Sequence, residues 1–171
     1  MSSTTPNKTL RAVDGKVDSL ARAAHDPMEV PAGEYQQLWF ALQRRPWKSL
    51  AVVPVGAGGS ARDVVSALCA VGQVQAHSPL LFFDARGVDL WRVSSLLEEM
   101  AVESRQADRI LLVLDPLLEN LAGVPIARAA DAVLLCVDLG HSDFASARRT
   151  IELVGAERVL GSVAISPGRA P

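Results

Sequence analysis

Five short, unbroken apolar runs constrain this chain more than any other feature: SLAVVPV (49–55), PLLFFDA (79–85), RILLVLD (109–115), DAVLLCVDL (131–139) and RVLGSVAI (158–165). A strand with one wet face alternates apolar and polar residues. Runs without alternation need cover on both faces, as strands of a buried parallel sheet do. The segments between them, SARDVVSALCAVGQVQA, DLWRVSSLLEEMAVESRQ, LLENLAGVPIARAA and SDFASARRTIELVGA, space their apolar residues at helical intervals. Strand and helix alternate, so the expected fold class is α/β. It is a three-layer sandwich with a mainly parallel central sheet, right-handed crossovers and helices on both faces.

Ahead of the first run the texture differs. Residues 1–9 carry no apolar pattern and read as disordered. In LRAVDGKVDSLARAAHD, residues Leu10, Val13, Val17, Leu20 and Ala24 form one helical stripe, which Asp26-Pro27 ends. A helix this short is marginal alone in water. It is expected to order by docking on its own domain or on a partner. PMEVPAG is a linker, and EYQQLWFALQRR (34–45) is a second helix candidate. The expected division is an N-terminal tail and helix over 1–33 and one domain over 34–171.

Several function classes fall away. With 171 residues and a formal charge of −2, the chain lacks a Lys/Arg block, which argues against nucleic acid. It has no apolar stretch long enough to span a membrane. MSSTTPNKTL is polar and no apolar signal core comes after it, which points to a cytoplasmic address. His25, His77 and His141 share no metal-ligand spacing with each other or with Cys69 and Cys136, so no zinc site is expected. The cysteines sit inside apolar segments and read as small buried hydrophobes. No G-x-S-x-G elbow exists. Glu98-Glu99 reads as a solvated helix face, and Trp39 and Trp91 read as core.

Ligands of open α/β sheets bind beyond the carboxyl ends of the strands. Here those ends carry Gly56–Ser60, Asp84, Asp115 and Asp138, placing aspartates where a nucleotide–metal site needs them. LAVVPVGAGGSAR (50–62) has the strand, the glycines and the helix start of a phosphate loop. The usual motif is G-x-x-x-x-G-K-[ST], whose lysine reaches the β- and γ-phosphates and whose hydroxyl binds Mg²⁺. Gly56, Gly58 and Gly59 permit close backbone approach, and Ser60 supplies the hydroxyl. Gly59 stands at the lysine position and Val53 at the first glycine. Arg62 lies three residues beyond the lysine position, nearly one helical turn, and cannot simply substitute.

From Glu34 to Ile165 the chain resembles the bacterial tyrosine kinases (BY-kinases) of capsule and exopolysaccharide export, in the P-loop group of MinD and ParA ATPases. EYQQLWFAL (34–42) occupies the place of the family's E-x-Y-R-x-L-R segment. VPVGAGGS (53–60) resembles its Walker A loop. LLFFDAR resembles its D-A-D strand, with Asp84 kept and Arg86 at the second aspartate. LLVLDPLL resembles its Walker B strand, with Asp115 kept. VPIARAADAVLLCVDLG resembles the family's D-A-L-L-L-A-x-x-x-D-G-V-L-L-V-V pattern, and ELVGAERVLGSVAI is similar to its last helix and strand. The departures are systematic: no loop lysine, an arginine in D-A-D, and a tail, ISPGRAP, without the family's tyrosine cluster. The one tyrosine is Tyr35.

The resemblance therefore implies a P-loop NTPase-like fold with a degenerate site. Gly56, Gly58, Gly59 and Ser60 would be a vestigial phosphate loop, and Asp84 and Asp115 vestigial carboxylates. No catalytic residue and no cofactor are expected. The partner is expected to be a membrane-associated polysaccharide export or synthase component or a homologous kinase, with a homo-oligomer also allowed. The alternative is a working ATPase or kinase switch, with ATP or ADP and Mg²⁺ at Ser60 and Asp84. A neighbouring subunit would then supply the missing cation, with Lys48 and Arg86 as candidates.

Overall fold

Each apolar run becomes a strand in the computed structural model, which describes residues 33–56, 61–75 and 80–166. They are β1 (Ser49–Val55), β2 (Leu80–Asp84), β3 (Arg109–Val113), β4 (Ala132–Asp138) and β5 (Val159–Ile165). The sheet runs β2-β3-β1-β4-β5, and every pairing is parallel. Thus β1 lies at the centre between β3 and β4, in register Leu50 to Leu111 on one side and Leu50 to Ala132 on the other. Paired on both edges and covered on both faces, Leu50 through Val53 are fully buried.

Period-two alternation sorts these side chains into two cores. Ala51, Val53, Ile110, Leu112, Val133 and Leu135 face one layer. That layer comprises α3 (Val93–Glu103), α4 (Gly123–Ala129) and α5 (Phe144–Val154), which contribute Leu96, Ile126 and Val154. Leu50, Val52, Leu111, Val113, Leu134 and Cys136 face the other. There α1 (Gly33–Leu42) and α2 (Ala61–Gln75) bring Trp39, Val64 and Leu68. Each large aliphatic side chain buried in this way contributes about 1.5–3 kcal/mol.

A tryptophan pair fastens α1. Trp39 and Trp47 meet edge to face with centroids 6.0 Å apart. The Arg109 guanidinium sits 4.1 Å over the Trp47 ring. It donates to the Trp47 carbonyl at 3.1 Å and also to Gln43 Oε1. Trp47 Nε1 in turn donates to the Leu42 carbonyl at 2.9 Å, closing the end of α1. Gly72 lets α2 approach this pair: a Cβ there would lie 2.6 Å from Trp39 Cη2 and from Leu80 Cδ1.

Three expectations are corrected. Trp91 is not core: it sits 93% exposed on a 3₁₀ turn, Leu90–Arg92, that precedes α3. The helix expected over 117–130 is only Gly123–Ala129. Pro116 opens a turn instead, its carbonyl accepting from the Glu119 and Asn120 amides at 2.9 and 3.0 Å. The helix expected over 142–156 is trimmed to Phe144–Val154 by sharp stops. Asp143 caps its start by accepting from the Ser146 amide, and Gly155 leaves it at φ +94°. Cys69 and Cys136 are buried and Glu98 is exposed, as expected. The stripe Leu10–Ala24, the linker after it, His25, His77 and the end of the ISPGRAP tail lie outside the described residues.

Candidate functional site

The carboxyl ends of β2, β3, β1 and β4 bring Asp84, Asp115, Gly56 and Asp138 to one rim of the sheet, in that order. Gly58, Gly59 and Ser60 come after β1 but lie outside the described residues. Gly56 leaves the strand at φ +78°, and a Cβ there would come 3.1 Å from the His141 carbonyl. A left-handed φ against a packed neighbour requires glycine.

Asp84 is paired with Arg86. The Arg86 side chain turns back on it as a fork, with Nε to Oδ1 at 2.8 Å and Nη2 to Oδ2 at 2.6 Å. The Arg86 amide adds a third contact to Oδ1 at 3.2 Å. Partial burial pushes the Asp84 carboxyl up. The hydrogen bonds and charge of Arg86, with Arg62 further off, outweigh it and hold the carboxyl below its usual range. The same hydrogen bonds hold the Arg86 guanidinium above its ordinary value. Both Asp84 oxygens thus accept hydrogen bonds from Arg86.

Asp115 is also engaged. Its Oδ2 accepts from the Gly87 amide at 2.6 Å and from Asn120 Nδ2 at 3.1 Å. Asn120 Nδ2 donates as well to the Val88 carbonyl at 2.9 Å, so one amide stitches the loop after β3 to the loop after β2. Asp138, on the far side of β1, is buried, and its Oδ2 has no hydrogen-bond partner among the described residues. Its backbone is tied to Ser142. The Asp138 amide donates to Ser142 Oγ at 3.0 Å, and Ser142 Oγ donates onward to the Val55 carbonyl. Ser142 therefore joins the ends of β1 and β4.

Lys48 lies at the other end of the sheet. Its amide and that of Ser49 donate to Asp131 Oδ2 at 2.9 and 2.8 Å, at the start of β1. A seven-residue strand separates it from the loop, roughly 23 Å at ~3.3 Å per residue. It cannot serve the loop of its own chain. His141 is exposed, and no group of three or more metal-ligating side chains occurs among the described residues. Nor is any described helix long and apolar enough to cross a membrane.

The five-stranded parallel sheet with helices on both faces is an α/β fold that matches P-loop kinase domains. The solved structures the chain is similar to bear this out. It matches the kinase domain of the Escherichia coli tyrosine kinase ETK at TM-score 0.62 and 14% identity, over 80% of this chain and 74% of that one. It matches the VpsO kinase domain at 0.65 and 12%, over 90% and 98%. It matches the chimeric protein CapA2B2 at 0.65 and 11%, over 90% and 91%. No family model matches the chain, and no curated protein does. At such identities the likeness is one of fold.

Sequence reasoning missed Asn120, Ser142 and Asp131. Each is a polar residue in or beside a turn, where periodicity gives no signal. Asn120, five residues after the Walker B-like aspartate, was hidden inside an expected helix.

Proposed function

We propose that this chain is a non-catalytic, pseudokinase-like member of the bacterial tyrosine-kinase fold. It would act by protein–protein interaction as an accessory or regulator of exopolysaccharide or capsule synthesis or export. The observation that carries this reading is the Arg86–Asp84 fork. A carboxylate that would hold a metal–nucleotide is instead neutralised two residues away by the arginine that replaces its acidic neighbour. Gly59 at the lysine position removes the charge that phosphoryl transfer depends on. The structural neighbours are tyrosine-kinase domains, which motivates the pathway. On this reading the protein works in the cytoplasm and reaches the inner membrane through its partner.

The test is genetic complementation with a biochemical control. Deleting the protein in its host should reduce the exported polymer, and the Asp115→Asn variant should restore it as well as the wild type does. The purified chain should neither hydrolyse ATP nor autophosphorylate. A failure of Asp115→Asn to complement, or turnover that Asp115→Asn abolishes, would overturn the reading.

A further inference from the structure

The loop after β2 and the loop after β3 are pinned together. Asp115 Oδ2 accepts from the Gly87 amide at 2.6 Å, and Asn120 Nδ2 donates both to Asp115 Oδ2 and to the Val88 carbonyl. Just beyond these contacts each loop turns large apolar side chains to solvent. Leu90 and Trp91 on one are 72 and 93% exposed, and Leu118 and Leu121 on the other are 40 and 62% exposed. Exposed apolar residues scattered singly are ordinary, but four on two joined loops make a patch of the kind that receives a partner. The charges beside them are mainly acidic: Asp89, Glu98 and Glu119 are exposed, against Arg92.

The described chain begins close by. Tyr35, in the first turn of α1, lies within electrostatic reach of Asp63, in the first turn of α2, and of Cys136, near the carboxyl end of β4. α1 therefore starts at the rim. Asp63 in turn acts on Arg86, the neighbour of Gly87 in the pinned loops. From Gly33 back to Ala24 is nine residues, which extend to about 30 Å at ~3.3 Å each. The stripe Leu10, Val13, Val17 and Leu20, which lies outside the described residues, is thus tethered within reach of the patch. It recurs at i, i+3, i+7 and i+10, the anchor spacing with which an amphipathic helix fills an apolar surface. Its segment carries Lys8, Arg11, Lys16 and Arg22 against Asp14 and Asp18, a charge opposite to that around the patch.

We propose that the stripe Leu10, Val13, Val17 and Leu20 docks as a helix on Leu90, Trp91, Leu118 and Leu121 of its own chain. The patch gives a helix of this length the tertiary cover that it lacks alone in water. The same chain is the occupant because a short tether holds the stripe at an effective concentration in the millimolar range, so it outcompetes the stripe of a second copy. Lys8, Arg11, Lys16 and Arg22 then meet the acidic margin of Asp89, Glu98 and Glu119. The surface is ready-made, since Asp115 and Asn120 hold its two loops side by side before anything binds.

Tryptophan fluorescence of the full chain and a cysteine cross-link test this. Trp39 and Trp47 are buried in the core, so Trp91 reports on the patch. Acrylamide should quench Trp91 weakly in the wild type. Val13→Asp with Val17→Asp should raise that quenching at least twofold and shift the emission to the red. In a Trp91→Phe background, where the buried pair alone emits, the same two substitutions should change nothing. Val17→Cys with Leu121→Cys, treated with a short bismaleimide, should give a cross-linked monomer, while the wild type, with Cys69 and Cys136 buried, gives none. Equal quenching of the wild type and the aspartate variant overturns the proposal. So does a change that persists in the Trp91→Phe background. A cross-link found only in dimers, or none at all, also overturns it, as when a second copy or another protein fills the patch.

Discussion

Replacing Arg86 by alanine removes the fork from Asp84 and leaves the backbone contact from residue 86. The fork's two hydrogen bonds, at 2.8 and 2.6 Å, are charge-assisted on both sides. A hydrogen bond to a charged group contributes about 1.5–3 kcal/mol when well buried. Here the Arg86 and Asp84 side chains are 36% and 20% exposed, so solvent screening brings the pair toward the ~1 kcal/mol ceiling of surface ion pairs. Arg86→Ala should therefore cost about 1 kcal/mol, roughly 3–5 °C in melting temperature for a domain of this size. Arg86→Lys keeps the charge without the fork and should fall between. The pH dependence comes from the lowered carboxyl of Asp84. A depressed folded-state value means the stabilisation is fully present above the unfolded carboxylate value of about 3.9. It is lost as pH falls through the folded value. Thermal melts of wild type and Arg86→Ala followed by circular dichroism should differ near neutral pH and converge in acid. Equal melting temperatures at neutral pH, or a gap that widens in acid, would refute the reasoning.

Asp131→Ala should destabilise by ~1–2 kcal/mol, since the lost carboxylate accepts from the Lys48 and Ser49 amides and the Ser49 hydroxyl; urea unfolding measures it. Burial pushes the Asp131 carboxyl up, but those hydrogen bonds hold it below its ordinary range, so this contribution too should fade in acid. Gly72→Val would drive side-chain atoms into Trp39 and Leu80 and should cost about 1–3 kcal/mol, with a change in tryptophan fluorescence as α1 shifts. Burial pushes the Cys69 thiol up to about 12. It should therefore resist a thiol reagent in the native protein at mildly alkaline pH and react once urea unfolds the chain.

The strands were visible in the sequence because burial on both faces leaves an unbroken apolar run, which side chains alone report. β5 departs from that pattern: Gly161 and Ser162 interrupt its run, and none of its residues is buried, so the cover on both faces expected for it is not found. Helix ends were harder to place, since they depend on single contacts: Pro116 opening a turn, Asp143 capping, Gly155 departing at positive φ. Trp91 shows the limit of composition, because a large aromatic at helical spacing is no guide to which side of a 3₁₀ turn it occupies. At the rim, sequence placed Asp84, Asp115 and Asp138 at strand ends and marked Arg86 as the odd residue. It could not show that the guanidinium folds back on Asp84, a matter of rotamer and local turn. Nor could it show that Asn120 and Gly87 take up Asp115, which joins segments 28 residues apart.

The central claim is that this rim has lost nucleotide binding, and titration of the full chain with ATP and Mg²⁺ tests it most directly. Saturation at about a hundredfold above Kd would stabilise the folded state by about 2.7 kcal/mol. The account predicts no change in melting temperature up to millimolar ATP with Mg²⁺, and the same flat response from Asp115→Asn. A saturable rise that requires Mg²⁺ and disappears in Asp115→Asn would contradict it.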